Sequence, residues 1–383
     1  RDVRFLDQVL KTTLRHATRD SDGLPVLDED GNKVYDRGLL SNVSSDGHIH
    51  THLMQILETG RASSARPNLQ NISKRREDDY RRIIGERYEY PIRSIFAARP
   101  GHLFVEADYT GAELAAIMWL ANDPNGIEHV RKNMLPEDHE DHYDIHSQAA
   151  VRAFRLDCPP TKRGLKDAGV SGMRVAAKNV NFGIPYGRGA AAIARQCREE
   201  GVDVGEREAQ LLINNYFETY PGVEGFLESC RNRVTDSRWL RNAFGRFRRF
   251  YEIASDARSL LGEAERQAQN FPIQSLVADA VSLALHNLYE YRKHHDVDYR
   301  IVLQIHDAVL LEVPYRHVQE VRDVVLPKCM TDDVPVYPNG IDGTLWREGQ
   351  PGPYYLSTDV DVCRYWGQIL SPAEVAQFIE EDE

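Results

Sequence analysis

Two apolar runs far apart in the chain constrain its fold most. HLFVEAD at 102–108 and RIVLQIHDAVLLEV at 300–313 are too apolar for surface loops. Each reads as buried strand, the second as two strands meeting tightly at His306-Asp307. Between them the patterning is helical. GAELAAIMWLAN (111–122) is a helix, and further helices are expected at 172–187, 204–219, 222–235, 257–270 and 274–293, the last beginning after Pro272. Residues 315–328 also look helical, 331–353 form a Pro/Gly-rich insertion, and 355–363 suggest a last strand. Towards the N-terminus, 3–18 look like a short amphipathic helix. Turn signals within 20–47 punctuate a hairpin, and 48–75 read as strand and loop. Strands that bracket a helical middle predict one discontinuous sheet domain carrying a helical insertion, an α+β design rather than repeated βαβ units.

Composition narrows the class without choosing within it. Of 383 residues, 42% are hydrophobic and 28% charged, which excludes a disordered tail, a collagen-like fibre and a disulfide mini-protein. Five scattered cysteines without a CxxC spacing fit a reducing compartment and argue against a zinc ribbon. No apolar run approaches 18 residues, so neither a membrane span nor a signal peptide is expected. The net charge of −12 argues against a strongly basic nucleic-acid binder, though net charge does not describe any one cleft.

Three segments carry chemistry. Asp108 ends an apolar strand where a helix begins; alone, an Asp there is an ordinary helix N-cap. Asp307 sits in a tight turn, where Asp is common. As a pair, two strand-end aspartates can converge on hard divalent cations, because Mg²⁺ favours one or two carboxylates plus phosphates and water. The third segment is MRVAAKNVNFGIPYG (173–187), where Arg174, Lys178, Phe182 and Tyr186 recur every fourth position. On a helix such a stripe drifts only about 40° per step. It suits either a triphosphate grip with a stacking aromatic or an amphipathic helix with snorkelling cations.

Taken in order, these segments resemble the three polymerase motifs of family A DNA polymerases, whose usual forms are DYSQIELR, RRxxKxxNFGxxYG and xxHDE. Here they read DYTGAELA, MRVAAKNVNFGIPYG and QIHDA. TGRASSARPNLQNISKR (59–75) and ERQAQNFPIQSLVADAV (265–281) are similar to two further motifs of that family. The resemblance implies a right-hand polymerase fold, with an antiparallel-sheet palm, helical fingers and a thumb largely missing. Residues 1–60 would be the end of a thumb helix and a hairpin, 61–123 the first part of the palm, 124–270 the fingers with the nucleotide-binding helix at about 172–187, and 271–383 the second part of the palm with the insertion 331–353. The implied activity is template-directed addition of deoxynucleotides to a primer 3′-end, with release of pyrophosphate and no proofreading exonuclease in this chain.

The roles follow by resemblance. Asp108 and Asp307 would hold two Mg²⁺ ions, with Mn²⁺ able to substitute and the Tyr109 carbonyl as a further ligand. Arg174, Lys178 and His146 would contact the triphosphate of the incoming deoxynucleotide, Lys178 also protonating the leaving pyrophosphate. Phe182 and Tyr186 would pack on the nucleotide and templating position. Glu113 would exclude the ribose 2′-hydroxyl. Arg61, Asn68, Asn71, Arg75, Arg266, Asn270, Gln274 and His306 would line primer-template DNA. Such contacts would draw on local cations in an otherwise acidic surface, and binding would weaken as salt rises.

Several residues depart from the family pattern. Ala308 replaces a Glu after the second Asp, Gly111 a Gln, Ala115 an Arg and Ser275 a Gly, while Pro185 should kink or end its helix. This drift and the insertion suggest a phage or viral relative, and hence a host-cytoplasmic location. Weak DNA grip and low processivity are expected unless a missing N-terminal thumb or exonuclease segment, or a processivity partner, supplies the clamp; no membrane partner is expected. The rival readings are a single-subunit RNA polymerase, a reverse-transcribing variant, and a non-catalytic primer-template-binding module. Two segments remain outside this scheme. EDHEDHYDIH (137–146) mimics a zinc site through His139, His142 and His146 but reads as a solvated acidic loop before a helix. SRWLRNAFGRFRRF (237–250) interleaves arginines with aromatics, as suits single-stranded template, duplex backbone or a plain exposed hairpin.

Overall fold

The computed structural model describes residues 16–17, 24, 27, 35–72, 92–255 and 257–380. In chain order the strands are β1 His16–Ala17, β2 Tyr35–Arg37, β3 His52–Met54, β4 Ser63–Ala65 and β5 His102–Tyr109. Then come α1 Ala112–Leu120, α2 Pro124–Asn133, α3 Ile145–Phe154, α4 Lys162–Asp167, α5 Ser171–Gly183, α6 Ala190–Glu199, α7 Glu206–Thr219 and α8 Pro221–Ser237. The ribbon β6 Trp239–Arg241 and β7 Phe247–Arg249 precedes α9 Arg258–His294, and β8 Arg300–Ile305, β9 Ala308–Pro314, β10 Thr358–Cys363 and α10 Pro372–Glu380 complete the chain. Most of the helix expected at 3–18 lies outside the described residues; residues 16 and 17, which are described, form β1, paired with β2.

The chain divides into two compact units. The first comprises residues 1–108, 288–327 and 359–383. Its centre is a four-stranded sheet in the order β10-β5-β9-β8. β9 is buried at every position, which explains its largely apolar sequence; its one charged residue, Glu312, is satisfied by accepting from Arg99 Nε at 2.7 Å. Leu303, Ile305, Leu310, Phe104 and Trp366 join one core cluster with Leu39, Leu69 and Ile92. Trp366 satisfies its indole by donating to Glu106 at 2.8 Å, and the Arg93 guanidinium lies 4.2 Å from the ring centre.

The second unit comprises 109–287 and 328–358. α1 is nearly apolar all round and buried, with Glu113 its one charged residue. α5 packs on α3, α6 and α7 through Ala176, Ala177 and Val180. α2 was not foreseen, although Asp123-Pro124 is a helix-start signal: Asp123 caps the helix by accepting from the Gly126 N–H at 2.8 Å, and Pro124 takes the first turn.

Two expectations need correction. The helices expected at 257–270 and 274–293 are one helix, α9, with Pro272 inside it. An interior proline costs about 3 kcal/mol. Phe271, Ile273 and Leu276 around it are fully buried, and burying each such side chain is worth about 1.5–3 kcal/mol, so packing outweighs the breaker. The helix expected at 315–328 winds instead through short 3₁₀, α and π turns from Tyr315 to Asp332. Pro327, lacking an N–H, falls within that stretch and cannot continue a regular ladder.

Candidate active site

The register of the central sheet brings the two strand-end aspartates to one place. β5 runs antiparallel to β9 with Asp108 opposite Ala308. β8 and β9 close at Ile305 opposite Ala308, leaving His306 and Asp307 as the turn. Asp307 therefore adjoins the residue that faces Asp108. His306 takes the turn's left-handed conformation (φ 55°) and is exposed, while Asp108 and Asp307 are both half-buried. Ala308 is fully buried. A Glu there, as in the family pattern, would place a third carboxylate directly across from Asp108. Gly111 begins α1 with φ 57°, a conformation glycine adopts readily, and a Cβ there would meet nothing within 4 Å. The Tyr109 side chain is buried and donates to the Met330 carbonyl at 2.5 Å, so its hydroxyl is committed.

Within the second unit, α5 aligns Arg174, Lys178 and Phe182 on its less buried face. The α-helix stops at Gly183, and Ile184–Tyr186 forms a 3₁₀ turn containing Pro185, as the proline requires. Arg174 donates to both Asp144 oxygens at 2.8 and 3.1 Å and to Ser147 Oγ at 3.2 Å. Asp144 also caps α3, accepting from the N–H groups of His146 and Ser147. Burial alone would raise the Asp144 carboxyl, yet hydrogen bonds from Arg174 and Ser147 outweigh it and hold the group below its ordinary range. Lys178 is exposed, its ammonium 5.8 Å from the Phe182 ring centre.

His146 has a defined tautomer. The Asn181 amide donates to its Nδ1 at 2.8 Å, so that nitrogen accepts and Nε2 carries the proton. Desolvation first, then the nearby Arg174 charge, push the imidazole down to about 4. His146 is thus a neutral N–H donor at pH 7. The Tyr186 hydroxyl donates to the Glu113 carboxylate, 3.1 Å from each oxygen, and accepts from Gln274 Nε2 at 3.3 Å. Glu113, Tyr186 and Gln274 thereby form one network. Asp144 and Asn181, which hold Arg174 and His146, were missed by sequence reasoning; the Asp before a helical run was a readable cap signal, whereas Asn181 carried none.

The remaining candidates are more dispersed. Asn68 and Asn71 are exposed, and Asn68 Oδ1 accepts from the Gln70 and Asn71 N–H groups. Arg61 is half-buried, and Arg75 lies outside the described residues. Arg266 pairs with Glu263 at 2.7 Å. The Asn270 Oδ1 is buried without a hydrogen-bond partner among the described residues. His139 and His142 lie in turns ahead of α3, with His142 Nδ1 2.7 Å from the Leu135 carbonyl, so the three histidines do not share a helix face. Among the described residues no group of three or more His, Cys, Asp or Glu could hold a metal, and no helix is long and apolar enough to cross a membrane.

A family model for DNA polymerase family A matches residues 31–347. DNA polymerase I of Caldicellulosiruptor bescii is 32% identical over 320 residues, covering 82% of this chain and 34% of that protein. The thermostable DNA polymerase I of Thermus filiformis is 33% identical over 308 residues, covering 79% of this chain and 33% of its own. Among solved structures, the POL domain of Pol1 from M. smegmatis, in complex with DNA primer-template and dNTP, aligns with a TM-score of 0.68 at 29% identity, covering 86% of this chain and 50% of that one. The chain spans about a third of the length of these curated relatives. They are bacterial and do not bear out a phage or viral origin.

Proposed function

The chain belongs to DNA polymerase family A and has an α+β polymerase fold; from that premise we propose that it extends a primer 3′-end on a DNA template. The reaction joins the primer 3′-oxygen to the α-phosphorus of a deoxynucleoside triphosphate and breaks the bond to pyrophosphate. The observation that carries this reading is the register that sets Asp307 beside the partner of Asp108. On this reading the first unit supplies most of a palm, and α3, α5 and the helices around them supply fingers.

The donor set fits a hard divalent cation. Asp108, Asp307 and the Tyr109 carbonyl offer only oxygen, and with so few protein ligands the substrate phosphates and water would complete the shell, as suits Mg²⁺. A pair of such ions, when bound, lowers the pKa of the 3′-hydroxyl and offsets charge on the departing pyrophosphate. The chain's own residues do the rest. Arg174, held in a fixed orientation by Asp144, and the neutral Nε2–H of His146 bind phosphate oxygens. The exposed Lys178 ammonium neutralises charge there and donates a proton to the leaving group. Phe182 stacks near the base. Tyr186 orients Glu113 against the sugar, where a ribose 2′-hydroxyl would crowd the carboxylate; this favours the deoxyribonucleotide reading over an RNA polymerase.

The test is primer extension with Mg²⁺, comparing the protein with Asp108→Ala and Asp307→Ala and supplying deoxy- or ribonucleotides. Loss of extension in both variants with DNA binding retained is expected. Extension unaffected by both substitutions would refute the carboxylate assignment, and preference for ribonucleotides would refute the substrate.

A further inference from the structure

One basic and aromatic segment has no part in that chemistry. The β6–β7 ribbon pairs Trp239 with Arg249, Leu240 with Arg248 and Arg241 with Phe247. Strand alternation divides these residues cleanly. The inner face holds Leu240 and Arg248, both buried. Arg248 hydrogen-bonds Gln267, and its guanidinium lies 4.5 Å from the Phe250 ring centre. Arg246 is likewise committed, donating to both oxygens of Asp279. These two arginines are structural, so the five-arginine cluster legible in the sequence is not one binding surface.

The ribbon's own outer face carries Trp239, Arg241, Phe247 and Arg249, and the Arg233 guanidinium from α8 lies 4.1 Å from the Trp239 ring centre, leaving Phe247 as the open ring. Phe247 stays 43% exposed. Its ring lies 5.3 Å from Trp239, and the guanidinium groups of Arg241 and Arg249 lie 5.8 and 5.4 Å from its centre. Among the described residues no carboxylate pairs with Arg241 or Arg249. The result is a checkerboard of planar rings and unneutralised cations on a chain of net charge −12. The ribbon is also rigidly backed. Asn242 accepts from the Phe244 and Arg246 N–H groups and donates to Asp279. The insertion after residue 331 bonds to the ribbon edge, Arg241 N–H to the Ile341 carbonyl at 3.0 Å and the Asn339 amide to the Ala243 carbonyl at 2.5 Å.

We infer that the outer face of this ribbon is a stacking platform for single-stranded nucleic acid. An exposed ring flanked by two cations matches the alternation of base and phosphate along an unpaired strand, whereas paired bases hide their faces from it. An acidic peptide would use the arginines and leave the exposed Phe247 ring without a role. The inference rests on the polymerase reading only in taking the ligand to be nucleic acid.

The test is fluorescence anisotropy of the full chain with a labelled single-stranded oligonucleotide and with the same sequence as a blunt duplex, across several salt concentrations, without metal or nucleotide. Phe247→Ala should weaken single-strand binding about 5- to 150-fold, the equivalent of one lost base stack of about 1–3 kcal/mol. Phe247→Trp should retain it. Removing Arg241 and Arg249 together should lower the slope of log affinity against log salt by about 1.4, at about 0.7 per phosphate contact for single strands. Unchanged affinity in Phe247→Ala, an equal loss on blunt duplex, or competition by polyglutamate as strong as by unlabelled oligonucleotide would each overturn the platform. Because no turnover is measured, a chain that binds as expected but fails to extend primers counts against the polymerase proposal alone.

Discussion

His146 should make the protein's stability depend on pH between 8 and 4. In an unfolded chain this imidazole titrates near 6.5; in the fold, desolvation and the neighbouring Arg174 and Lys178 hold it down to about 4, with Asp144 opposing them. Asn181, which donates to Nδ1, is uncharged. As pH falls below 6.5 the unfolded state takes up a proton that the folded state refuses until about 4. Stability is therefore complete above pH 7, falls through that window, and levels off below it. From the two values, the loss between pH 8 and pH 5 is about 2 kcal/mol. Denaturant unfolding at both pH values, for the protein and for His146→Gln, measures it. The variant lacks the titrating group, so its stability should fall by about 2 kcal/mol less. His129, also shifted down by burial, is present in both chains and drops out of the comparison. Identical pH dependence in the two chains, or an NMR midpoint for His146 close to 6.5, would refute a neutral, desolvated imidazole at this site.

Asp144→Asn should lose about 1.5–3 kcal/mol at pH 7 through its charged hydrogen bonds to Arg174. It should also lose part of the acid sensitivity: the depressed Asp144 carboxyl stabilises above the ordinary carboxylate range and ceases to as pH falls through its folded value, so unfolding below pH 4 should be shallower in the variant. Tyr186→Phe removes the donor to Glu113 and the acceptor of Gln274; discrimination against ribonucleotides should fall by about tenfold, equivalent to about 1.4 kcal/mol, with deoxynucleotide turnover largely kept. Equal loss of both activities would show that the hydroxyl serves general folding. Gly111→Ala should destabilise by about 1 kcal/mol through its left-handed backbone. Since its Cβ would meet nothing within 4 Å, thermal unfolding should register no further steric loss.

Elements whose signal is local were legible. The apolar runs became β5, β8 and β9, Arg174, Lys178 and Phe182 of the fourfold stripe became the less buried face of α5, and Pro185 fell in the 3₁₀ turn that ends that helix. Pro272 was misread because its local penalty is outweighed by the burial of its helix neighbours Phe271, Ile273 and Leu276, which depends on tertiary packing. Arg246 and Arg248 were grouped with Arg241 and Arg249 because composition does not distinguish the two faces of a ribbon. Asn181 was invisible, since its role exists only once α5 lies against α3.

Sequence alone therefore determined the central strands β5, β8 and β9 and the helices around the fourfold stripe, which family the motifs resemble, and which side chains have suitable chemistry. Only the tertiary structure decided how those side chains are used: that Asp307 adjoins the partner of Asp108, that Arg174 is held by Asp144, and that His146 is a neutral donor. Periodicity and motif spacing act between residues near in the chain and are written there. Register, desolvation and hydrogen-bond partnership act between residues far apart, and come into being only when packing removes water and fixes which distant groups meet.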